Sequence, residues 1–345
     1  MEDSTQIANQ ILPAPQHGFR RYARSPKWKL FPRPAFTLIF KPGLFLFVFY
    51  LVLASPGTWA TGNILPIPKR IVSLSPGITE ILFALGLGDR VVGVTDFCNY
   101  PEAATRLPKI GGILNPSYEK LISLRPDLII HQPDSRKIET FIRQLNVSGL
   151  AVPMLTLDQI FAAIRKIGQA TQSTGAADNL IRKMNRKLED YRKRLAAVNK
   201  KSVLLLLGVS AGPSRDLYGV GGKTFLGELL ALAGGENILT DSMALYPKLS
   251  REFIIRRSPE VIIEVGPKAI LSSMEMEKRK REWRRFPTIR AVKNHNIHFI
   301  GSDYVLIPGP RLIRIIDRFV RAIHPELATS PIRLGQAGIP GQEIP

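Results

Sequence analysis

Two segments of the chain carry the same uncommon pattern. Each begins with Ser, has Glu two residues later, continues through a short amphipathic run, and ends with Pro, an acid and three aliphatic residues; the segments are 117–130 and 250–263. Ser predicts a helix N-cap, the helix dipole favours Glu in the first turn, and Pro ends a helix. The aliphatic triplet predicts a buried strand. The repeated helix–strand unit therefore predicts two similar lobes.

Strands and helices alternate around both units. Strands are predicted at 70–74, 91–94, 128–131 and 151–155 in the first lobe, and at 202–207, 261–265 and 297–300 in the second. Alternation of this kind indicates an α/β fold with mostly parallel sheets. In such sheets ligands bind beyond the carboxyl ends of the strands, which here are followed by 75–77, by 97–100 and by the residues after His131.

A helical segment separates the two lobes. Helices are predicted at 157–170 and 176–199, and the second would be about 36 Å long at 1.5 Å per residue. Its apolar residues recur at helical spacing: Leu180, Met184, Leu188, Tyr191 and Leu195. One rigid crossing predicts modest hinge motion. The predicted organisation is a leader (1–60), a first lobe (65–156), a helical connector (157–200), a second lobe (201–328) and a loose tail (329–345).

The first 60 residues have the order of a secretory signal. Residues 1–34 are polar and basic, 43–54 form an apolar run, and Thr58-Trp59-Ala60 is a small-x-Ala end. The sequence thus predicts export to the periplasm with cleavage near Ala60. The apolar run is shorter than the roughly 20 residues of a membrane span, so a retained anchor is the alternative. Since no cysteine directly follows the run, a lipid-anchored form is disfavoured.

The chain is strongly basic, with a net charge of +20. Such a surface can attract nucleic acid, anionic lipid or an anionic ligand, but scattered charges favour a solvated face and no nucleic-acid role. The densest run of basic residues, 278–281, is predicted to form the solvent-exposed face of a helix. Cys98 is the single cysteine, which excludes an intrachain disulfide.

One catalytic pattern occurs. Residues 208–212 fit the G-x-S-x-G elbow of a serine hydrolase using Ser210, with Asp241 and His295 following in the right order. The elbow must lead directly into a helix, yet Pro213 and polar loop residues follow, so we expect no enzyme. His295 and His298 are predicted to point to opposite faces of a strand. Neither a metal site nor a cofactor is therefore expected.

Five stretches together resemble the periplasmic cobalamin/iron-chelate binding proteins, the substrate-binding components of ABC importers: 70–95, Tyr100-Pro101, 115–130, Gly234–Asn237 and 250–263. The resemblance covers about 68–327 and is greatest to the cobalamin-binding members. It implies two Rossmann-like lobes joined by one long rigid helix, with a small-molecule ligand clamped in the cleft between them. The implied partners are an ABC permease with its cytoplasmic ATPase, so membrane contact would be made through the permease.

The resemblance also assigns residues to the dock and the ligand site. Glu119 and Glu252 match the family's two surface glutamates, which contact permease arginines, and one exposed carboxylate per lobe suits a two-point electrostatic dock. The alternative interpretation is that each glutamate only stabilises its own helix, by compensating the positive end of the helix dipole in the first turn. Aromatic faces suit a flat macrocycle. The implied ligand residues are Phe97, Tyr100, Tyr246, Asp303, Tyr304, Val305, Leu306 and Ile307.

Two departures leave the ligand open. Ile113 replaces an aromatic residue of the family's pattern, and Ile307 replaces an arginine. A corrinoid is the leading prediction, and an iron-siderophore or haem-like chelate is the alternative. No cluster of cleft arginines that would favour an anionic chelate is evident apart from Arg311.

Overall fold

The structure is a computed structural model that describes residues 66–133, 136–208, 216–239, 244–267 and 272–327. The predicted signal sequence (1–60), the tail (329–345), Ser210 and Asp241 lie outside the described residues. Within the described part, none of the helices has the length and apolar character needed to cross a bilayer.

The first lobe is built on a four-stranded parallel sheet. The first strand in the chain lies at the centre of this sheet, between the second strand and the strand of the first repeated unit. The strands are β1 (Ile71–Ser73), β2 (Val91–Val94), β3 (Leu128–His131) and β4 (Ser148–Ala151). The helices of this lobe are α1 (Pro76–Ala84), α2 (Glu102–Thr105), α3 (Tyr118–Ser123) and α4 (Arg136–Gln144).

The second lobe repeats this plan. Its four parallel strands have the order β10-β9-β5-β7, and β6 pairs with β8 as a short antiparallel ribbon. The strands are β5 (Lys201–Leu207), β6 (Leu217–Tyr218), β7 (Gly235–Asn237), β8 (Lys248–Leu249), β9 (Val261–Gly266) and β10 (Ile297–Gly301). Its helices are α7 (Phe225–Leu232), α8 (Arg251–Arg257), α9 (Ser273–Trp283), α10 (Arg290–Lys293) and α11 (Leu312–Ile323). The predicted α/β fold with two parallel-sheet lobes is confirmed.

Two packed helices form the connector, α5 (Leu157–Ala170) and α6 (Thr174–Leu195). The buried stripe of α6 begins at Ala177 and continues through Ile181 and Met184, so the predicted Leu180 is only partly buried. One hydrophobic cluster runs through both lobes and the connector, joining Ile71 of β1 to Ile263 of β9. The lobes consequently share one continuous core.

Three expectations are wrong. The strand predicted at 151–155 is β4, Ser148–Ala151, which shares only Ala151 with the predicted range. His295 lies in the turn before β10 with a φ of 55°, so only His298 belongs to the strand. The basic run of α9 is not uniformly solvated, because the side chain of Arg279 is only 14% exposed and is paired with Glu264 of β9. The sequence pattern did not predict the burial of Arg279 because its partner, the carboxylate of Glu264, lies on a different element.

Candidate functional site

The two repeated units have the same local geometry. The Ser117 hydroxyl accepts the Lys120 backbone N–H, and the Ser250 hydroxyl accepts the Phe253 N–H. These bonds satisfy donors that a helix start leaves free. In both units the residue before Pro is left-handed, with φ of 44° at Arg125 and 41° at Ser258. The same sequence pattern therefore produces the same capped helix and the same exit turn in each lobe.

Each unit is also attached to its sheet in the same way. The acid after Pro accepts the backbone N–H at the start of the neighbouring strand: Asp127 binds Arg70 N at 3.0 Å, and Glu260 binds Ser202 N at 2.8 Å. The hydrogen bond from Ser202 holds the pKa of Glu260 below its ordinary value. These matching anchors place α3 and α8 at equivalent positions on the two lobes.

The two predicted docking glutamates lie in the first turns of these helices. Both Glu119 and Glu252 are exposed. Hydrogen bonds from its own backbone N–H and from Ser250 lower the pKa of Glu252, so this carboxylate is ionised at neutral pH. Each lobe thus presents one carboxylate at the same place in its repeated unit, and docking remains a prediction.

The two lobes meet where loops leave the carboxyl ends of β1, β2 and β10. The first residues of α1 contact the loop 302–311 directly. An added Cβ on Gly77 would lie 2.3 Å from the carbonyl oxygen of Pro308, and one on Gly309 would lie 3.2 Å from Glu80 Oε2. The two lobes therefore meet here backbone to backbone, and glycine permits the approach.

A buried ion pair crosses the same contact. Arg311 Nη2 of the second lobe donates to Glu80 Oε1 of α1 at 2.6 Å, and the two side chains are only 6% and 2% exposed. A second bond of 2.5 Å joins Arg311 Nη1 to Asp303. Glu80 Oε2 and Arg311 Nε are buried without a hydrogen-bond partner. Burial raises the pKa of Glu80, against the opposing effect of the arginine.

Three of the predicted ligand residues surround this arginine. The guanidinium carbon of Arg311 lies 4.0 Å from the ring centroid of Tyr100 and 5.2 Å from that of Tyr304, within cation–π range. Asp303 is its exposed partner. The structure thus brings Tyr100, Asp303 and Tyr304 together around Arg311.

The loop that carries Phe97 and Tyr100 is anchored through Cys98. The Cys98 sulfur lies 3.1 Å from the hydroxyls of both Thr79 and Thr95, and its carbonyl accepts Lys109 Nζ at 2.8 Å. Burial raises the pKa of this thiol, so it remains protonated. The single cysteine therefore fixes an aromatic loop against α1.

The other predicted ligand residues differ in exposure. Val305 and Leu306 are 0% and 6% exposed and belong to the shared hydrophobic core. A ligand would reach their side chains only after the loop repacks. Phe97, Ile307 and Tyr246 are half-buried, and Tyr246 packs against the same core. Burial raises the pKa of Tyr246 to about 12, so its hydroxyl stays neutral.

The second lobe has its own buried charged anchor. Glu264 on β9 accepts Arg279 Nη1 at 2.8 Å and Trp283 Nε1 at 2.7 Å, and Arg279 Nη2 also donates to the carbonyl of Gly208 at the end of β5. Burial raises the pKa of Glu264. Helix α9 is therefore tied to the carboxyl ends of two neighbouring strands.

Sequence reasoning missed Glu80. The sequence did show an acidic residue among apolar residues in α1. Because acids are almost never fully buried unless they are paired, this position could have indicated a buried ion pair. The described residues contain no group of three His, Cys, Asp or Glu side chains arranged to hold a metal ion.

A family model described as Periplasmic binding protein matches residues 71–304. The chain belongs to the periplasmic binding protein family. An uncharacterized ABC transporter substrate-binding lipoprotein of Bacillus subtilis is 33% identical to this family member over 75% of this chain and 81% of that protein. The vitamin B12-binding protein of Vibrio campbellii is 28% identical, over 72% of this chain and 86% of its own length.

Solved structures share the fold of this periplasmic binding protein. The periplasmic vitamin B12 binding protein of Vibrio cholerae superposes with a TM-score of 0.63 at 25% identity, covering 76% of this chain and 98% of that one. A periplasmic heme-binding protein of Roseiflexus gives a TM-score of 0.62 at 27% identity, covering 74% and 98%. The predicted family resemblance is confirmed, and its members differ in what they bind.

Proposed function

We propose that this periplasmic binding protein captures cobalamin between its two lobes and delivers it to an ABC permease, docking through Glu119 and Glu252. Substrate binding for an ABC transporter is the role of its family. The choice of cobalamin, the docking residues and a periplasmic location after signal cleavage are the proposal. The proposed role is capture and transfer without catalysis, with the metal supplied by the ligand.

The observation that carries the ligand choice is the charge balance at Arg311. This arginine already contacts the carboxylates of Glu80 and Asp303, so its charge is satisfied within the protein. A haem or an anionic siderophore needs cations for its carboxylates. Aromatic faces beside an arginine that is already paired suit a large macrocycle that carries amides. The vitamin B12-binding relatives support the same choice.

An iron chelate is the second candidate. The heme-binding neighbour has a similar fold and a similar level of identity. Binding of such a ligand would require Arg311 to exchange one of its carboxylate partners for the ligand. The docking glutamates and the transport role would be unchanged.

Calorimetric titration of the protein with cyanocobalamin, a panel of ferric siderophores and haemin tests the ligand. We expect one-to-one binding of cobalamin and at least about tenfold weaker binding after Tyr100→Ala, because an aromatic contact is lost. Absence of cobalamin binding together with a chelate signal would reject the corrinoid and retain the transport role.

Transport assays test the dock. Glu119→Gln combined with Glu252→Gln should abolish uptake and leave ligand affinity unchanged. Tyr100→Ala should instead reduce uptake because it weakens ligand binding. Lost ligand affinity in the glutamine variants would contradict the docking role. N-terminal sequencing of the exported protein tests the location, and a chain starting at or before residue 36 would reject cleavage near Ala60.

A further inference from the structure

Each predicted docking helix exposes an isoleucine at the same position. Ile122 of α3 is 52% exposed, and Ile255 of α8 is 38% exposed. Each lies three residues after the docking glutamate of its helix, so Glu and Ile share one helix face. The preceding residue faces the core in both units, since Leu121 and Ile254 are each 1% exposed.

Single exposed apolar side chains are common on protein surfaces and need no explanation alone. In the described part of the chain, Ile122 and Ile255 are two of six exposed large hydrophobic residues, and they occupy equivalent positions in the repeat. Isoleucine also has a lower helix propensity than the polar residues that usually occupy solvent-exposed helix positions. The repeated placement is therefore unlike random exposure.

We infer that Ile122 and Ile255 are the apolar half of the two-point dock, each packing beside the ion pair made by its neighbouring glutamate. The inference rests on the proposed docking function. Because α3 and α8 present the same Glu–Ile pair, the matching partner surface carries the same feature twice: a cation next to an apolar patch. A permease of two equivalent subunits has this symmetry. An apolar contact beside the ion pair excludes water and holds the complex when salt screens the charges.

The test is binding of the full chain to its cognate permease–ATPase complex in lipid nanodiscs, measured by biolayer interferometry at about 0.05 and about 1 M salt. Ile122→Ser and Ile255→Ser should each weaken binding about tenfold, with a similar factor at both salt concentrations, because burial of apolar surface is not screened. Glu119→Gln and Glu252→Gln should weaken binding mainly at low salt. Met274→Ser is the matched control, since Met274 is 83% exposed on α9 outside the repeat, and it should leave binding unchanged.

The outcomes separate the inference from the docking proposal. Glutamine variants that weaken binding while both serine variants bind like wild type would overturn the role of the isoleucines alone. Unchanged binding in the glutamine variants would overturn the dock itself. Sedimentation of the free protein tests whether the isoleucines instead contact a second copy of this chain. A wild-type dimer that Ile122→Ser converts to monomer would assign the face to self-association and reject the inference.

Discussion

Replacing Gly77 by Ala tests the close contact between the lobes. The new Cβ would lie 2.3 Å from the Pro308 carbonyl oxygen and 3.2 Å from Met154 Cε, whereas ordinary contacts are 3.4–4 Å. The loop 302–311 would have to move by about 1 Å, and close-packed interiors resist such shifts. Overpacking costs roughly 1–3 kcal/mol, and alanine in a helix returns roughly 0.5–1 kcal/mol. We expect a net loss of about 1–2 kcal/mol in the free energy of unfolding.

Gly175→Ala is the matched control. Gly175 is the second residue of α6, as Gly77 is of α1, but nothing lies within 4 Å of its added Cβ. This variant should be stabilised by roughly 0.5–1 kcal/mol. Urea unfolding followed by far-ultraviolet circular dichroism measures both variants, and calorimetry measures ligand affinity. Gly77→Ala should also bind ligand more weakly, because its clash displaces a cleft loop. A Gly77→Ala protein at least as stable as wild type, with unchanged affinity, would refute the reasoning.

Two further predictions concern buried and paired carboxylates. Trp283→Phe removes the indole donor to Glu264 and should lower the free energy of urea unfolding by about 1–3 kcal/mol, because an acceptor is left buried and unpaired; a change below about 0.5 kcal/mol would show that the bond is unimportant. Glu260 has a lowered pKa in the folded state, so its contribution to stability is present above its ordinary value of 4.5 and disappears as the pH falls through the lowered pKa. Wild type should therefore exceed Glu260→Gln in stability at neutral pH and converge with it in acid, and a constant difference between pH 3 and pH 7 would contradict the assignment.

Local sequence rules predicted the repeated units correctly. Ser at the N-cap, Glu in the first turn and Pro after the helix each act through backbone groups only a few residues away. The structure accordingly shows the Ser250 cap bond to Phe253 and the left-handed exit at Ser258. The helix predicted at 157–170 is confirmed at the same bounds, because the N-cap residue Thr156 acts locally in the same way.

The cleft was less predictable. Tyr100, Asp303 and Tyr304 were expected near the ligand on the basis of the family resemblance, but nothing in their sequence neighbourhoods connects them with Arg311. Val305 and Leu306 appear in the same loop pattern, and the structure places both in the core together with Tyr304, which is 7% exposed. Within this one loop Asp303 is exposed whereas the three residues after it are buried, so packing and not the loop pattern decides their exposure.

The sequence alone determined that the chain has two α/β lobes, because hydrophobic alternation, capping residues and proline act within one helix or strand. Only the tertiary structure decided that Glu80 and Arg311 pair, since 231 residues separate them and no local rule operates across that distance. It also decided that Arg279 of a basic helix is drawn inward, whereas Ile122 of an apolar pattern remains exposed. Burial depends on which element packs against a residue, and that contact exists only once the elements are packed in the folded chain.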